Sequence, residues 1–193
     1  MPPLRTFLAV ETPPEVRSRA AALVEQLSAA GANVRWSDSD TWHWTLNFLG
    51  DVPDNEVPAV CKAAAATAVA FTPFDLGVCG CGAFPSVSRP RTIWLGAGVG
   101  QEPLVLLQAA LTRHLEPLGF RPEARRFTPH LTLGRLRDGV TGLKELSDLL
   151  RQHTEFDAGT MPVDEVVVLA SRLERHGADH TVLGRAPLVG RLS

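Results

Sequence analysis

A short internal repeat constrains the fold of this 193-residue chain more than any other feature. Residues 43–46 read His-Trp-Thr-Leu and residues 130–133 read His-Leu-Thr-Leu, so each half of the chain carries the pattern His-x-Thr-Leu. Because side chains alternate between the two faces of a strand, each copy presents an imidazole and a hydroxyl on one face and apolar side chains on the other. A lone histidine in a strand is more often a satisfied polar residue than a catalyst, but the repetition favours a functional pair. If approximate two-fold symmetry relates the copies, their polar faces can meet at one ligand.

Hydrophobic periodicity divides the rest of the chain into strands and helices. The predicted strands cover residues 5–11, 42–49, 71–78, 92–95, 131–136, 163–170 and 181–183. The predicted helices run from Pro13-Pro14 to Gly31 and over residues 57–69, 104–118 and 142–152. The glycines and prolines of residues 80–90 indicate an ordered loop. No linker or low-complexity segment interrupts this order, so we expect one body over residues 1–193.

Composition and charge exclude several classes of protein. The formal net charge of −2 and the pI near 6.3 exclude the diffuse positive surface of a non-specific nucleic-acid binder, so any contact with nucleic acid must be local. No stretch approaches the roughly 20 apolar residues that span a bilayer, and the apolar run at the N-terminus is too short for a signal peptide. We therefore expect a cytoplasmic protein with no membrane partner.

The cysteines favour a reducing compartment. Cys61, Cys79 and Cys81 are odd in number, and the last two lie too close together to suggest a disulfide framework. No second cysteine pair follows at zinc-binding spacing. We predict that Cys79 and Cys81 are buried thiols and that the chain has no metal site.

Phosphate is the ligand that two imidazoles and two hydroxyls suit best. Hydroxyls and protonated imidazoles donate hydrogen bonds to its oxygens, and an imidazole titrates near neutral pH. One imidazole can take a proton from an attacking water while the other gives a proton to the leaving oxygen, each contributing typically about 10²- to 10⁴-fold. Such a pair needs no cofactor or metal, and it predicts a bell-shaped dependence of rate on pH.

Four segments of the chain carry a resemblance to a known family. They are residues 5–9 (Arg-Thr-Phe-Leu-Ala), residues 43–50 (His-Trp-Thr-Leu-Asn-Phe-Leu-Gly), residues 84–94 with Phe-Pro-Ser and Arg-Pro-Arg-Thr-Ile-Trp, and residues 127–135 (Phe-Thr-Pro-His-Leu-Thr-Leu-Gly-Arg). Together they resemble the two-histidine phosphoesterase superfamily, specifically its bacterial and archaeal RNA 2′,3′-cyclic phosphodiesterase branch, formerly called 2′-5′ RNA ligase. The resemblance covers most of the chain.

The resemblance implies a fold and an activity. The fold would be α+β and bilobal, with two pseudo-symmetric antiparallel sheets flanked by helices and the active-site cleft between the lobes. The activity would be metal-independent hydrolysis of a terminal 2′,3′-cyclic phosphate of RNA to a 2′-phosphomonoester. In the family's usual assignment, His43 would be the proton donor and His130 the proton acceptor. Thr45 and Thr132 would hold the non-bridging phosphate oxygens.

Other side chains are candidates for substrate binding. Guanidinium groups suit phosphate recognition, and of the arginines around the second motif and in the Pro-Arg segment we single out Arg91, Arg126 and Arg135. Phe48 and Phe84 could stack on a base, as in readers of single-stranded RNA. The expected partner is RNA with a 2′,3′-cyclic phosphate end or a small cyclic nucleotide, and a monomer is the default expectation.

One departure from the family is visible near the C-terminus. Relatives often carry a tyrosine after a Ser…Gly stretch, whereas this chain has Ser171, Gly177 and then His180, and it contains no tyrosine. If that tyrosine helps to pack the substrate, His180 replaces its stacking or alters substrate preference.

Two other functions are compatible with the sequence. One is 2′-5′ RNA ligation, the reverse reaction, which the same two histidines would serve by microscopic reversibility. The other is a non-catalytic module that binds RNA ends. Intact histidines in both motifs argue against the binding module.

Overall fold

The computed structural model describes residues 4–137, 139, 141–174 and 177–190. Its strands are β1 (Leu4–Glu11), β2 (Val34–Trp36), β3 (His43–Val52), β4 (Phe74–Ser86), β5 (Arg89–Ala97), β6 (His130–Leu136), β7 (Asp157–Val163), β8 (Glu165–Glu174) and β9 (Gly177–Pro187). Its α-helices are α1 (Pro14–Ser28), α2 (Val57–Ala68), α3 (Gln101–Leu115) and α4 (Leu143–Gln152). No helix in these ranges is long and apolar enough to cross a membrane.

The strands form two antiparallel sheets. The first sheet has the order β3-β1-β8-β9 and the second has the order β2-β6-β5-β4-β7. Helices α2 and α3 contact each other, α2 packs on β8 and β9, and α1 and α4 pack on β7 and β4 of the second sheet. The prediction of an α+β fold with two antiparallel sheets flanked by helices is confirmed.

Apolar periodicity explains the helices that the sequence predicts. Helix α1 begins at Pro14, and its buried side chains recur at helical spacing. The buried leucines of α3 do the same, and the chain leaves the turn after α3 at Gly119, whose φ of 94° suits a glycine. These faces complete one core of apolar side chains that reaches from Leu8 in the first sheet to Leu131 in the second.

The predicted loop over residues 80–90 is wrong. Strand β4 continues to Ser86 and β5 begins at Arg89, so these residues form a hairpin. The glycines serve the strand: the pairing shifts register beside Gly80, whose φ is 80°, and Gly82 lies directly beneath the Trp94 ring. Strands β2 and β7 were not predicted.

The two repeat strands hold equivalent positions. Strand β3 follows β1 and α1, strand β6 follows β5 and α3, and each pairs antiparallel with the earlier strand of its own half. His43 pairs with Glu11 at the end of β1, and His130 pairs with Gly96 near the end of β5. Strands β3 and β6 also contact each other across the two sheets. The fold therefore brings both repeats to one region of the molecule.

Candidate active site

The repeat side chains alternate as the sequence predicts. Trp44 and Leu46 are buried in the core, whereas His43 and Thr45 on the opposite face of β3 are half-buried. In β6, Leu131 and Leu133 are buried while His130 and Thr132 are half-buried. Each strand thus buries its apolar side and leaves an imidazole and a hydroxyl accessible.

Both imidazoles are held by the same backbone contact. Nδ1 of His43 lies 2.6 Å from the carbonyl oxygen of Thr41, and Nδ1 of His130 lies 2.8 Å from that of Thr128. A carbonyl oxygen only accepts, so Nδ1 of each ring carries the proton and donates it. Whenever such a ring is neutral, its Nε2 has a free lone pair that can accept a proton. This contact was not predicted, although the repeat extends back to the threonines as Thr-x-His-x-Thr-Leu.

The imidazole of His43 lies within an aromatic cluster. Its ring centroid is 4.7 Å from that of Phe7 and 4.9 Å from that of His180, with the His180 ring edge-on at 77°. Phe7 and His180 contact each other at 5.2 Å. The sequence did not predict that His180 reaches the first repeat histidine.

The imidazole of His130 has a similar neighbour. Phe84 stands edge-on to it, at a centroid distance of 5.0 Å and an angle of 89°, and Phe84 rests in turn on Trp94 at 5.1 Å. Phe84, predicted to stack on a base from a loop, therefore lies in a strand against the second repeat histidine.

Burial controls the electrostatics around His43. It lowers the pKa of His43 to about 4, although the hydrogen bond to the Thr41 carbonyl acts in the opposite direction. The charge of His180 lowers this pKa further, and the charge of Glu11 raises it. Burial also lowers the pKa of His180, against the opposing charge of Asp179. His43 is therefore neutral near pH 7 in the free protein.

Two predicted binding residues lie on the repeat strands, each five positions after its histidine. Phe48 is 42% exposed, pairs with Phe7 across β1, and has the Arg5 guanidinium 5.0 Å from its ring centroid. Arg135 is exposed and donates a hydrogen bond of 3.0 Å to Oγ1 of Thr92 in β5. Directly paired residues of neighbouring strands point to the same face of a sheet. Phe48 therefore shares a face with Phe7, and Arg135, which like Phe84 pairs with Thr92, shares a face with Phe84.

The other two predicted arginines are placed differently. Arg91 precedes Thr92, so strand alternation turns it to the opposite face of β5. There it lines a cavity of about 500 Å³ together with Arg137 and Leu143, the first residue of α4. Arg126 is exposed in the connection between α3 and β6. The fold does not bring Arg91 to the face that carries His130.

A cavity of about 410 Å³ opens beside His43. His180, Leu169 and several carboxylates, among them Glu11 and Glu165, contribute to its wall. Among the described residues that line it, Thr41, Trp42 and His43 belong to the first repeat in its extended form and none belongs to the second, so this cavity covers one side of the candidate site rather than its whole extent.

The cysteines are free thiols. Burial raises the pKa of Cys81 to about 12 and raises that of Cys61, so both are protonated near pH 7. Cys81 is buried as predicted, whereas Cys79 is half-buried, which corrects the prediction that both are buried thiols; Cys61 is half-buried as well. Within the described ranges, no group of three or more His, Cys, Asp or Glu side chains is arranged to hold a metal ion.

The fold and the paired histidines define a bilobal protein with a repeated His-x-Thr site. The sequence pattern of LigT-like phosphoesterases matches residues 10–94 and 97–178. The chain belongs to the LigT-like phosphoesterase family.

Named relatives and solved structures agree with this assignment. An RNA 2′,3′-cyclic phosphodiesterase of Methanothermobacter thermautotrophicus is 32% identical over 92% of this chain and 95% of its own length. One of Aeropyrum pernix is 31% identical over 86% and 92%. A Thermus thermophilus crystal structure superposes with a TM-score of 0.79 at 27% identity, covering 98% of this chain and all of that one. The Escherichia coli LigT structure complexed with 3′-AMP superposes with a TM-score of 0.77 at 26% identity, covering 96% and 98%.

Proposed function

We propose that the protein hydrolyses a terminal 2′,3′-cyclic phosphate of RNA to a 2′-phosphomonoester, with His43 and His130 as acid and base and without a metal. The observation that carries the proposal is the matched Nδ1 anchoring of two histidines on strands that contact each other. The names of the two relatives above support the substrate, and the 3′-AMP complex of Escherichia coli LigT supports a nucleotide ligand.

The reaction adds water across one bond of the cyclic phosphate. Nε2 of His130 takes a proton from the attacking water, and the new bond forms between the water oxygen and phosphorus. The bond between phosphorus and O3′ breaks, and O3′ receives a proton from Nε2 of His43. The hydroxyls of Thr45 and Thr132 donate hydrogen bonds to the non-bridging oxygens, where negative charge accumulates.

The donor role of His43 depends on the substrate. A group with a pKa of about 4 is almost entirely neutral at pH 7 in the free protein. A bound phosphate anion beside the ring favours the imidazolium and raises this pKa. The assignment of donor to His43 and acceptor to His130 follows the family resemblance, and it requires that the bound phosphate supply this shift.

We also propose substrate contacts for the predicted binding residues that lie on the repeat strands. Arg135 is suited to a phosphate of the RNA chain and Phe48 to a base, because both side chains are exposed on the repeat strands. Phe84 acts through His130, against which it packs. Arg91 and Arg126 remain predictions, as do a monomeric state and a cytoplasmic location.

The test uses purified protein, EDTA and an RNA oligomer ending in a 2′,3′-cyclic phosphate. We expect the wild type to produce a 2′-phosphate, identified by mass and by phosphatase sensitivity, and His43→Ala and His130→Ala to lose this activity. His153→Ala is the matched control, since His153 lies at the end of α4 against Phe156. Loss of activity confined to the two repeat variants supports the proposal.

Three other outcomes of this experiment would contradict the proposal or point to a different function. Activity that survives both repeat substitutions overturns the two-histidine mechanism. Binding of the RNA end without turnover points to the non-catalytic module. A 2′-5′ joined product formed with a 5′-hydroxyl oligomer shows ligation, which uses the same acid and base in reverse.

A further inference from the structure

His180 occupies a place that its strand position alone does not suggest. It lies on β9 opposite Ser171 of β8, and β8 and β1 separate β9 from β3 in the sheet. Nevertheless, its half-buried ring contacts both His43 and Phe7. The curvature of the first sheet therefore brings the far strand back over the first repeat histidine.

Each repeat histidine has one edge-on aromatic neighbour. Phe84 meets His130 at 89°, and His180 meets His43 at 77°, with centroid distances of 5.0 and 4.9 Å. Each of these neighbours contacts a further aromatic ring, Trp94 in the second sheet and Phe7 in the first. The two halves differ in charge, because only the edge-on neighbour of His43 can be protonated.

We propose that His180 is a positioning residue for His43, which fixes the plane of the imidazole and limits, through its own charge, when that imidazole can be protonated. The proposal rests on the proposed function, since it assigns a control on the acid of that reaction.

Three contacts position the imidazole ring of His43. The hydrogen bond from Nδ1 to the Thr41 carbonyl fixes one edge of the His43 ring. Phe7, tilted by 32°, and His180, nearly perpendicular, restrict rotation from two further sides. Nε2, on the edge away from Nδ1, is then held in one direction. Acid–base catalysis is sensitive to such orientation, because displacements of about 1 Å can cost about 10²-fold in rate.

The imidazoles of His43 and His180 are close enough for a charge on one to affect the protonation of the other. Two positive rings whose centroids are 4.9 Å apart repel each other, and burial weakens the screening by water. A proton on His180 therefore lowers the pKa of His43. Both groups then titrate as a coupled pair.

Other charges around the pair do not remove this coupling. Glu11 on β1 favours protonated His43, and Asp179 on β9 favours protonated His180. Arg185 on β9 binds Glu11 and Glu165 and so offsets part of their negative charge. The remaining charged residues that line the cavity beside His43 are Arg17 and Asp40, which pair with each other, and Asp164.

Two substitutions separate the ring from its charge. His180→Phe keeps a ring against His43 and removes the titration, whereas His180→Ala removes both. With the RNA cyclic phosphate as substrate, we expect His180→Ala to lower kcat by roughly 10- to 100-fold with little change in KM, because orientation is lost. We expect His180→Phe to recover most of that kcat at neutral pH. His153→Phe serves as the matched control.

The effect of the His180 charge on His43 is measured by NMR in the free protein and needs no activity assay. The Cε1–Hε1 signal of His43 is followed by NMR over the pH range in which circular dichroism shows folded protein, and His43→Gln identifies the signal. In the wild type we expect two coupled steps, and in His180→Phe one step at higher pH.

The outcomes distinguish this proposal from the proposed function. A wild type that is inactive on the RNA contradicts the function, while the NMR titration still reports the coupling. Unchanged titration of His43 in His180→Phe overturns the present proposal, and so does a wild-type kcat in His180→Ala. Thermal unfolding of each variant shows whether a loss of kcat reflects a loss of fold instead.

Discussion

Residue-scale chemistry depends on the nitrogen that each repeat histidine leaves free. The Thr41 and Thr128 carbonyls occupy Nδ1 of His43 and His130, so the proton transfer that we propose falls to Nε2 in both rings. This matched anchoring leaves the direction of proton transfer to the surroundings of each ring. The roles of donor and acceptor can be separated by the leaving group.

A bridging sulfur tests the donor role of His43. In an RNA end whose 3′ bridging oxygen is replaced by sulfur, the leaving group is a thiolate, which departs without protonation because thiols are far more acidic than alcohols. On the oxygen substrate we expect His43→Ala to lose about 10²- to 10⁴-fold in kcat. On the sulfur substrate we expect most of this loss to disappear, as measured by single-turnover kinetics.

The acceptor variant is the control for this experiment. His130→Ala should remain impaired on both substrates, because the attacking water still has to lose a proton. Recovery on the sulfur substrate by His130→Ala instead of His43→Ala would reverse the two roles.

The buried imidazole also links stability to pH. The folded pKa of His43, about 4, lies below the ordinary value of 6.5, so the unfolded chain binds the proton more tightly than the folded protein. The stability associated with neutral His43 is complete above pH 6.5 and is lost as the pH falls toward 4. By linkage we expect the protonation of this residue to lower the free energy of unfolding by about 2 kcal/mol when the pH falls from 7 to 5.

Urea unfolding at these two pH values measures the effect. His43→Gln keeps a polar side chain and removes the titration, so its unfolding free energy should fall less between pH 7 and pH 5 than that of the wild type. Equal pH dependence in the two proteins would contradict a lowered pKa for His43.

At the scale of elements, local patterns predict the helices and the repeat strands but not the hairpin of β4 and β5. Repetition identifies His43 and His130, and periodic leucines identify α3, because these signals are local in sequence. Gly80 and Gly82 were interpreted as loop residues, yet one accommodates a register shift and the other a tryptophan ring. The contact of His180 with His43 depends on sheet curvature across four strands, which no local pattern encodes.

Gly82 tests the role of this close approach. A Cβ at residue 82 would lie 2.5 Å from two atoms of the Trp94 ring, and Trp94 supports Phe84 against His130. We expect Gly82→Ala to reduce the free energy of unfolding by about 1–3 kcal/mol, as overpacking does, and to lower kcat by moving Phe84. Urea denaturation and steady-state kinetics measure the two effects.

The clash can be relieved in the same chain. Trp94→Leu removes the ring atoms that the new Cβ would meet, so the double variant should be less destabilised than the sum of the single variants. Additive changes would show that residue 82 acts without Trp94.

At the scale of the whole molecule, helices α1 and α3 make contacts in the half opposite to the strand that precedes them, whereas α2 and α4 pack on the sheet of their preceding strand. Helix α1 follows β1 of the first sheet but packs beside β7 and α4 of the second, and α3 follows β5 of the second sheet but packs against α2. One apolar core joins the two sheets. The absence of a linker predicts one body from the sequence, whereas this exchange depends on tertiary packing and is not visible in the pattern.

The exchange of helices predicts that the two lobes unfold together. Leu23 of α1 is fully buried in the shared core, and its truncation to alanine should cost about 2–5 kcal/mol. In calorimetry we expect one transition for the wild type and for Leu23→Ala, with equal calorimetric and van't Hoff enthalpies in each. In native-state amide exchange, Leu23→Ala should lower the protection free energy of the slowest-exchanging amides by the same amount in both sheets. Those amides exchange only when the whole molecule unfolds. A second transition in the variant, or a loss of protection confined to the second sheet, would mean that the lobes are separate cooperative units despite their common core.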